Sequence, residues 1–223
     1  EAEELAWSDD LQSSLVDLLQ DLGGLLDEVD DAVWRADDVL GWVYEYYNLP
    51  DLEDIEDRRS FNPEDVAPAN QFYTPHWVVR LLTDNSLGKL FLEQEGSLQE
   101  TIQQQEAQFS PEERKFRNPE AAESIAELCT YLVPTEEKRA STDFDHPREI
   151  RVLDPAVGSA HFLLYSFDVL ERIWWKMAPE LSRSQVPSKI LEHNLFGVDL
   201  DLRACQLAAF NLYLKARGRA EQF

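Results

Sequence analysis

Two hydrophobic rhythms divide this chain. Up to about position 147, apolar side chains recur mostly at helical spacing; beyond it, short apolar runs alternate with helices. Leu11, Leu15, Leu18, Leu19 and Leu22 mark a first helical face, interrupted by Gly23 and Gly24. Val33, Trp34, Val39, Leu40, Trp42, Val43 and Tyr47 mark a second. Residues 48–69 hold Pro50, Pro63, Pro68 and many acids, which predicts a loop. Helices are predicted over 76–92 and over the glutamine-rich 97–109. Pro111 opens a further short helix, 119–132 reads as another, and 134–147 as a polar linker.

The later rhythm is different. Ile150, Arg151, Val152 and Leu153 predict a short buried strand. Residues 159–177 predict a helix whose apolar face is Phe162, Leu163, Ser166, Leu170, Ile173 and Trp174. After Pro179 come a loop, a short helix at 187–193, and a second strand at Leu195, Phe196, Gly197 and Val198. A last helix is expected to bury Cys205, Ala208, Ala209 and Leu212. Strand, helix, strand, helix is the opening of a parallel α/β sheet. Two strands do not complete one, so the reading expects more sheet than these residues supply. The organisation expected is a helical region (1–70), a helix and an acidic helical insertion (71–147), and the first part of an α/β domain (148–223).

Composition narrows the function classes. Two distant cysteines, Cys129 and Cys205, show no CxxC pattern and read as free thiols of a reducing cytoplasm. His76, His146, His161 and His193 lack metal-ligand spacing, so no metal is expected. No apolar run is long enough to span a membrane. Lys and Arg number 20 against 44 Asp and Glu, a net charge of −24. Such a chain repels DNA phosphates. An acidic surface with six lysines suits a salt-loving host, in which charge repulsion is screened; the alternative is a basic DNA-binding surface elsewhere in a longer protein.

Three segments carry candidate chemistry. Asp154, Pro155, Ala156, Val157, Gly158, Ser159, Ala160, His161 and Phe162 lie where the first strand ends and a helix begins. Gly158 permits close backbone approach, and helix N-terminal amides suit a carboxylate. Ser159 is placed to cap that helix. Asp154, at the strand's carboxyl end, suits a cationic group. S-adenosylmethionine offers ammonium, sulfonium and carboxylate together. Asp199, at the end of the second strand, suits two ribose hydroxyls, with Asp201 left to cap the last helix. Gln71, Phe72, Tyr73, Thr74 and Pro75 read as a helix start, with Thr74 as N-cap and Pro75 as first helical residue. Each segment alone also fits a plain structural turn or cap.

Taken in order, Phe-Tyr-Thr-Pro, then Asp-Pro-x-x-Gly-Ser-x-His-Phe, then Phe-Gly-Val-Asp-x-Asp resembles the amino-methyltransferases that modify adenine in DNA. The branch it is most similar to is the large PglX-type adenine methyltransferases of BREX phage-defence systems. Supporting segments are 41–47, 78–88, 191–197 and 206–217, and the resemblance covers roughly 38–217. It implies a Rossmann-like methyltransferase fold, methyl transfer from S-adenosylmethionine to adenine N6, DNA as substrate, and other defence proteins as partners. By the same resemblance Phe72, Tyr73 and Thr74 contact the methionine carboxylate, and Asp154, Ala156, Gly158 and Ser159 hold the methionine. Asp199 binds the ribose and Leu200 lines the adenine pocket. Ala160 departs from the family's second glycine, and its methyl is expected to crowd the cofactor.

One family feature is missing. Adenine methyltransferases carry an Asn- or Asp-Pro-Pro-aromatic loop that holds the extruded base. None of the eleven prolines here is followed by another. The reading therefore expects a cofactor-binding portion, inactive alone, and names no catalytic residue. The same portion would also serve an RNA or protein methyltransferase, or a non-catalytic interaction module.

Overall fold

A computed structural model describes residues 20, 24, 29–30, 33, 39–44, 46, 55, 74–108, 110, 113, 121–134 and 143–222. The chain divides into two compact units, Glu1–Val39 and Leu40–Phe223. In the first, Val33 N–H donates to the Asp30 carbonyl, and little else is described. The second unit holds every element discussed below. Among the described residues it is mostly helical, with a two-stranded parallel sheet, and no helix is long and apolar enough to cross a membrane.

The helix expected over 76–92 forms in three pieces. Helix α1 (His76–Thr83) passes through a π turn (Asp84–Gly88) into α2 (Lys89–Glu95), which Gly96 ends in a left-handed conformation. Helix α3 (Leu98–Gln108) follows, burying Leu98, Thr101, Ile102 and Gln105. The acidic insertion thus contributes to the core. The helix expected over 119–132 shrinks to α4 (Ile125–Leu128), capped by Ser124, which accepts from Glu127 N–H. Polar side chains satisfy the backbone beyond it. Gln105 donates to the carbonyls of Ala126 and Cys129, Asp84 accepts from Tyr131 N–H, and Asn85 accepts from Val133 N–H. With those partners the segment needs no helical bonds of its own.

Strand β1 (Val152–Asp154) pairs with β2 (Leu195–Gly197) in register Val152↔Leu195, Leu153↔Phe196 and Asp154↔Gly197. Between them lie α5 (His161–Met177) and α6 (Val186–His193); α7 (Leu202–Gln222) follows β2. Leu153 and Phe196 share a sheet face and are exposed, so the core lies on the other side, around α5.

Helix α5 corrects the expected one-sided apolar face. Every residue from Leu163 to Trp174 is buried, including Ser166, Asp168, Glu171 and Arg172. Packed by α1, α4, α6, α7 and both strands, it is the central post of the unit. Helix α7 also departs from expectation. Ala209 is exposed, and Cys205 and Leu212 are only partly buried. The buried line is Ala204, Ala208, Asn211, Lys215, Ala216 and Arg219. Lys215 Nζ bonds Asp168 at 3.0 Å, and Arg219 pairs with Glu171. Ala208 is buried as expected and Cys205 and Leu212 pack against the same apolar cluster, and polar pairs to α5 extend that line toward the end of the helix.

A buried acid sits in the π turn. Asp84 accepts from the Tyr165 hydroxyl at 2.8 Å and from Tyr131 N–H at 2.9 Å. Burial pushes its carboxyl up to about 6, against these hydrogen bonds and the nearby Arg80 charge, which pull it down. The folded state therefore binds this proton more tightly than the unfolded chain does. Its stability falls as pH rises from the unfolded value of 3.8 through about 6. Between pH 5 and 7.5 the loss from this group is about 1.4 kcal/mol. Urea unfolding at the two pH values, compared with Asp84→Asn, isolates it. The wild type is expected to lose that much more than the variant, and equal pH slopes would remove Asp84 as the source.

Candidate functional site

The site is built at the carboxyl ends of the two strands. Pairing continues past the strands: Val198 N–H donates to the Asp154 carbonyl, and Val157 N–H donates to the Val198 carbonyl, both at 2.9 Å. The two connecting loops therefore lie side by side. Asp199 joins them further. Its Oδ2 accepts from Gly158 N–H and its Oδ1 from Asp201 N–H, each at 2.9 Å. Asp154 Oδ1 accepts from Ala156 N–H at 3.1 Å, turning the chain sharply after β1. Asn211 of α7 donates to the Ser159 carbonyl at 3.0 Å. The tie between Asp199 and Gly158 spans 41 positions in sequence and brings both expected residues together.

Two residues of this loop have positive φ. Gly158 has φ +50, and among the described residues a Cβ built there would meet no atom within 4 Å. Among the described residues, nothing therefore stands over Gly158. Ala160 has φ +74 and is fully buried. Its methyl packs with Val157, Leu163, Leu164 and Ala208 beneath the loop. The expected crowding by Ala160 is thereby corrected: the methyl fills core. Its cost is backbone strain, about 1 kcal/mol for a non-glycine residue in this region.

Two expected caps move. Helix α5 begins at His161, with Ala160 at the N-cap, so Ser159 does not cap it. Helix α1 begins at His76, with Pro75 at the N-cap, so Thr74 lies just outside the helix, half-buried. Asp201 does cap α7, accepting from Arg203 N–H at 2.8 Å. Phe72 and Tyr73 lie outside the described residues. Leu200 is 87% exposed on the loop after β2.

Other neighbours of the site were not expected from sequence. His76 and His161 meet at 3.2 Å, edge to face, and bring the start of α1 to the start of α5. The Tyr44 hydroxyl donates to Asp201 Oδ2 at 2.5 Å. No local signal links residues 85 or 157 positions apart. Partial burial raises the Asp154 carboxyl above its usual value, the Ala156 N–H opposing this and the Asp199 charge adding to it. Two carboxylates beside an open glycine make a place suited to a cationic, hydroxyl-bearing ligand.

The ammonium, sulfonium and ribose of S-adenosylmethionine fit that chemistry.

No family model matches the chain. It is 31% identical, over 198 residues, to the adenine-specific methyltransferase BrxX of Escherichia coli strain HS, covering 88% of this chain and 15% of that protein. It is 32% identical over 183 residues to the adenine-specific methyltransferase PglX of Lacticaseibacillus casei strain Zhang, covering 81% of this chain and 14% of that protein. A protein of Methanocaldococcus jannaschii, named for type II restriction and methylation, is 26% identical over 182 residues, or 79% of this chain and 14% of its own length. The chain thus spans about 15% of the length of the curated relatives it matches. Over most of its own length, this chain is a sequence relative of the adenine-specific methyltransferases BrxX and PglX.

Proposed function

We propose that this chain supplies the S-adenosylmethionine-binding portion of an adenine-specific DNA methyltransferase of BREX-type phage defence, on the opening half of a Rossmann-like sheet. The observation that carries this reading is the Gly158–Asp199 staple at the carboxyl ends of two parallel strands, with open space above the glycine among the described residues. In open α/β sheets ligands bind at that end of the strands. The bound cofactor supplies an electrophilic methyl group. The chain's own residues bind and orient it: Asp154 by charge, Gly158 by clearance, Asp199 by hydrogen bonds, Thr74 and Leu200 from the flanks. No catalytic residue is assigned here, because the Asn- or Asp-Pro-Pro-aromatic sequence does not occur in these residues. In this proposal the base-binding loop, the DNA contacts and any contact with other defence proteins belong to sequence outside these residues. An acidic, lysine-poor composition supports a salt-rich host.

Titration with S-adenosylmethionine in a calorimeter, in molar KCl, tests the reading. Binding is expected, and its absence at millimolar ligand with folded protein would overturn it. Gly158→Ala adds a methyl where the cofactor would lie, at a backbone cost of about 1 kcal/mol. It is expected to lose most binding with only a small drop in melting temperature. Asp199→Ala is expected to weaken binding by about 1.5–3 kcal/mol through lost bonds to a charged group. Unchanged affinity in both variants would place the ligand elsewhere.

A further inference from the structure

The described part of the segment before α1 reaches the candidate site at two points. Residues 40–44 are helical. A Cβ on Gly41 would stand 2.5 Å from Ser159 Oγ, so the backbone at Gly41 lies directly on the loop that follows β1. One turn further on, the Tyr44 hydroxyl donates to Asp201 Oδ2. These are separate contacts to the two loops of the site, one steric and one polar.

Asp201 is well placed to pass on what Tyr44 does. Its backbone N–H donates to Asp199 Oδ1, and Asp199 Oδ2 accepts from Gly158 N–H. Tyr44, Asp201, Asp199 and Gly158 form one continuous chain of hydrogen bonds from the 40–44 segment to the open glycine. Asp201 Oδ1 meanwhile caps α7, and the Arg203 guanidinium lies 3.2 Å from Oδ2.

We propose that Tyr44 is a positioning residue of the cofactor site. Its hydroxyl orients the Asp201 carboxylate, which holds the Asp199 loop so that the ribose-binding acid and Gly158 face one ligand. Gly41 lets the 40–44 segment close against Ser159 and thereby delivers Tyr44. Tyr44 itself touches no ligand in this scheme. The inference rests on the cofactor reading above and gives Tyr44, a residue of the 41–47 segment, a role that the resemblance does not assign.

The direction of the Asp201 titration gives a readout that simple destabilisation does not mimic. Burial raises this carboxyl, but the Tyr44 hydroxyl and the bonds and charge of Arg203 outweigh it and hold the group below the usual range. The groups facing it are Tyr44 from the 40–44 segment, Arg203 on its own helix, and Asp199 across the loop. Removal of the Tyr44 hydroxyl lets Asp201 take up a proton at higher pH.

The experiment is calorimetric titration of the 223-residue chain with S-adenosylmethionine from about pH 3 to 8, a window that reaches below the ordinary carboxylate value of 3.8, for wild type, Tyr44→Phe and Gly41→Ala, with melting curves at each pH. Tyr44→Phe is expected to bind about tenfold more weakly at pH 7.5. Its acid limb of binding is expected at higher pH than in wild type. Gly41→Ala, which displaces the segment but keeps the hydroxyl, is expected to weaken binding to a similar extent. If wild type binds and Tyr44→Phe binds equally well with the same acid limb, the proposal is overturned. Weaker binding that only tracks a lower melting temperature, with the acid limb unmoved, assigns Tyr44 a purely structural role and also overturns it. If Tyr44→Phe does not fold, full affinity in a folded Gly41→Ala protein overturns the proposal, and weakened affinity supports it. If wild type itself does not bind, the cofactor reading fails and takes this inference with it.

Discussion

Replacing Asn194 by alanine is expected to destabilise the second unit by about 4 kcal/mol, because the buried Ile150 carbonyl and Trp174 indole N–H lose their partner and the Pro147 carbonyl keeps only the Ile150 N–H. Asn194 is fully buried where α6 turns into β2. Its Nδ2 donates to the carbonyls of Pro147 and Ile150, at 2.8 and 2.7 Å. Its Oδ1 accepts from the Trp174 indole N–H at 2.9 Å. Its backbone carbonyl accepts from Val152 N–H at 2.8 Å, beside the first pair of the sheet register. One side chain therefore joins the entry to β1, the start of β2 and the central helix. An unsatisfied buried donor or acceptor costs roughly 1–3 kcal/mol. Asn194→Asp keeps the size but cannot donate to two carbonyls, so at neutral pH it is expected to be at least as damaging. Urea unfolding followed by tryptophan fluorescence measures both. A loss under about 1 kcal/mol in both variants would mean that water replaces the amide at little cost.

Glu171→Gln is expected to cost about 3–5 kcal/mol, the range for removing one partner of a buried ion pair. Glu171 lies on the central helix with its side chain fully buried. It accepts from Arg172 Nη1 at 2.7 Å, from Arg219 Nε at 3.2 Å, and from Arg219 Nη2. Neutralising it leaves two guanidiniums facing each other without the carboxylate between them. The contrast is the exchange of the α5–α7 pair for apolar residues, Glu171→Met with Arg219→Leu. That exchange removes the Arg219 charge along with the carboxylate but still leaves the buried Arg172 without its closest carboxylate, so it is expected to recover only part of the loss. Molar salt should rescue the single variant only slightly, since a buried pair is screened far less than a surface one. A single variant as stable as the double would show that the carboxylate does not hold these helices together.

Neither residue was visible as important in the sequence. Asn194 reads there as one polar position between a short helix and a short strand. Glu171, Arg172, Lys215 and Arg219 were not among the positions that periodicity assigned to the buried faces of their helices. Periodicity assigns a charge to solvent because an unpaired buried charge is costly. That inference fails when two helices bring opposite charges to the same line, and the pairing partner of Glu171 lies 48 positions away. The break in the helix over 76–92 was hidden for a related reason. Asp84 and Asn85 spend their side chains on Tyr131 and Val133, 47 and 48 positions further on.

The site divides along the same line. The order of strands and helices after 148, the position of the loop between β1 and α5, and Asp199 at the end of β2 were all legible from local patterns. Short apolar runs, a glycine among small residues and acids at strand ends are set by backbone sterics and hydrogen bonding within a few residues. Tertiary structure decided what those residues do to one another. It joined Asp199 to Gly158, turned the Ala160 methyl into the core, moved the starts of α1 and α5 beyond Thr74 and Ser159, and placed Tyr44 on Asp201. Contacts of that kind depend on how helices pack around a shared post. Packing is a property of the whole unit, and no window of sequence contains it.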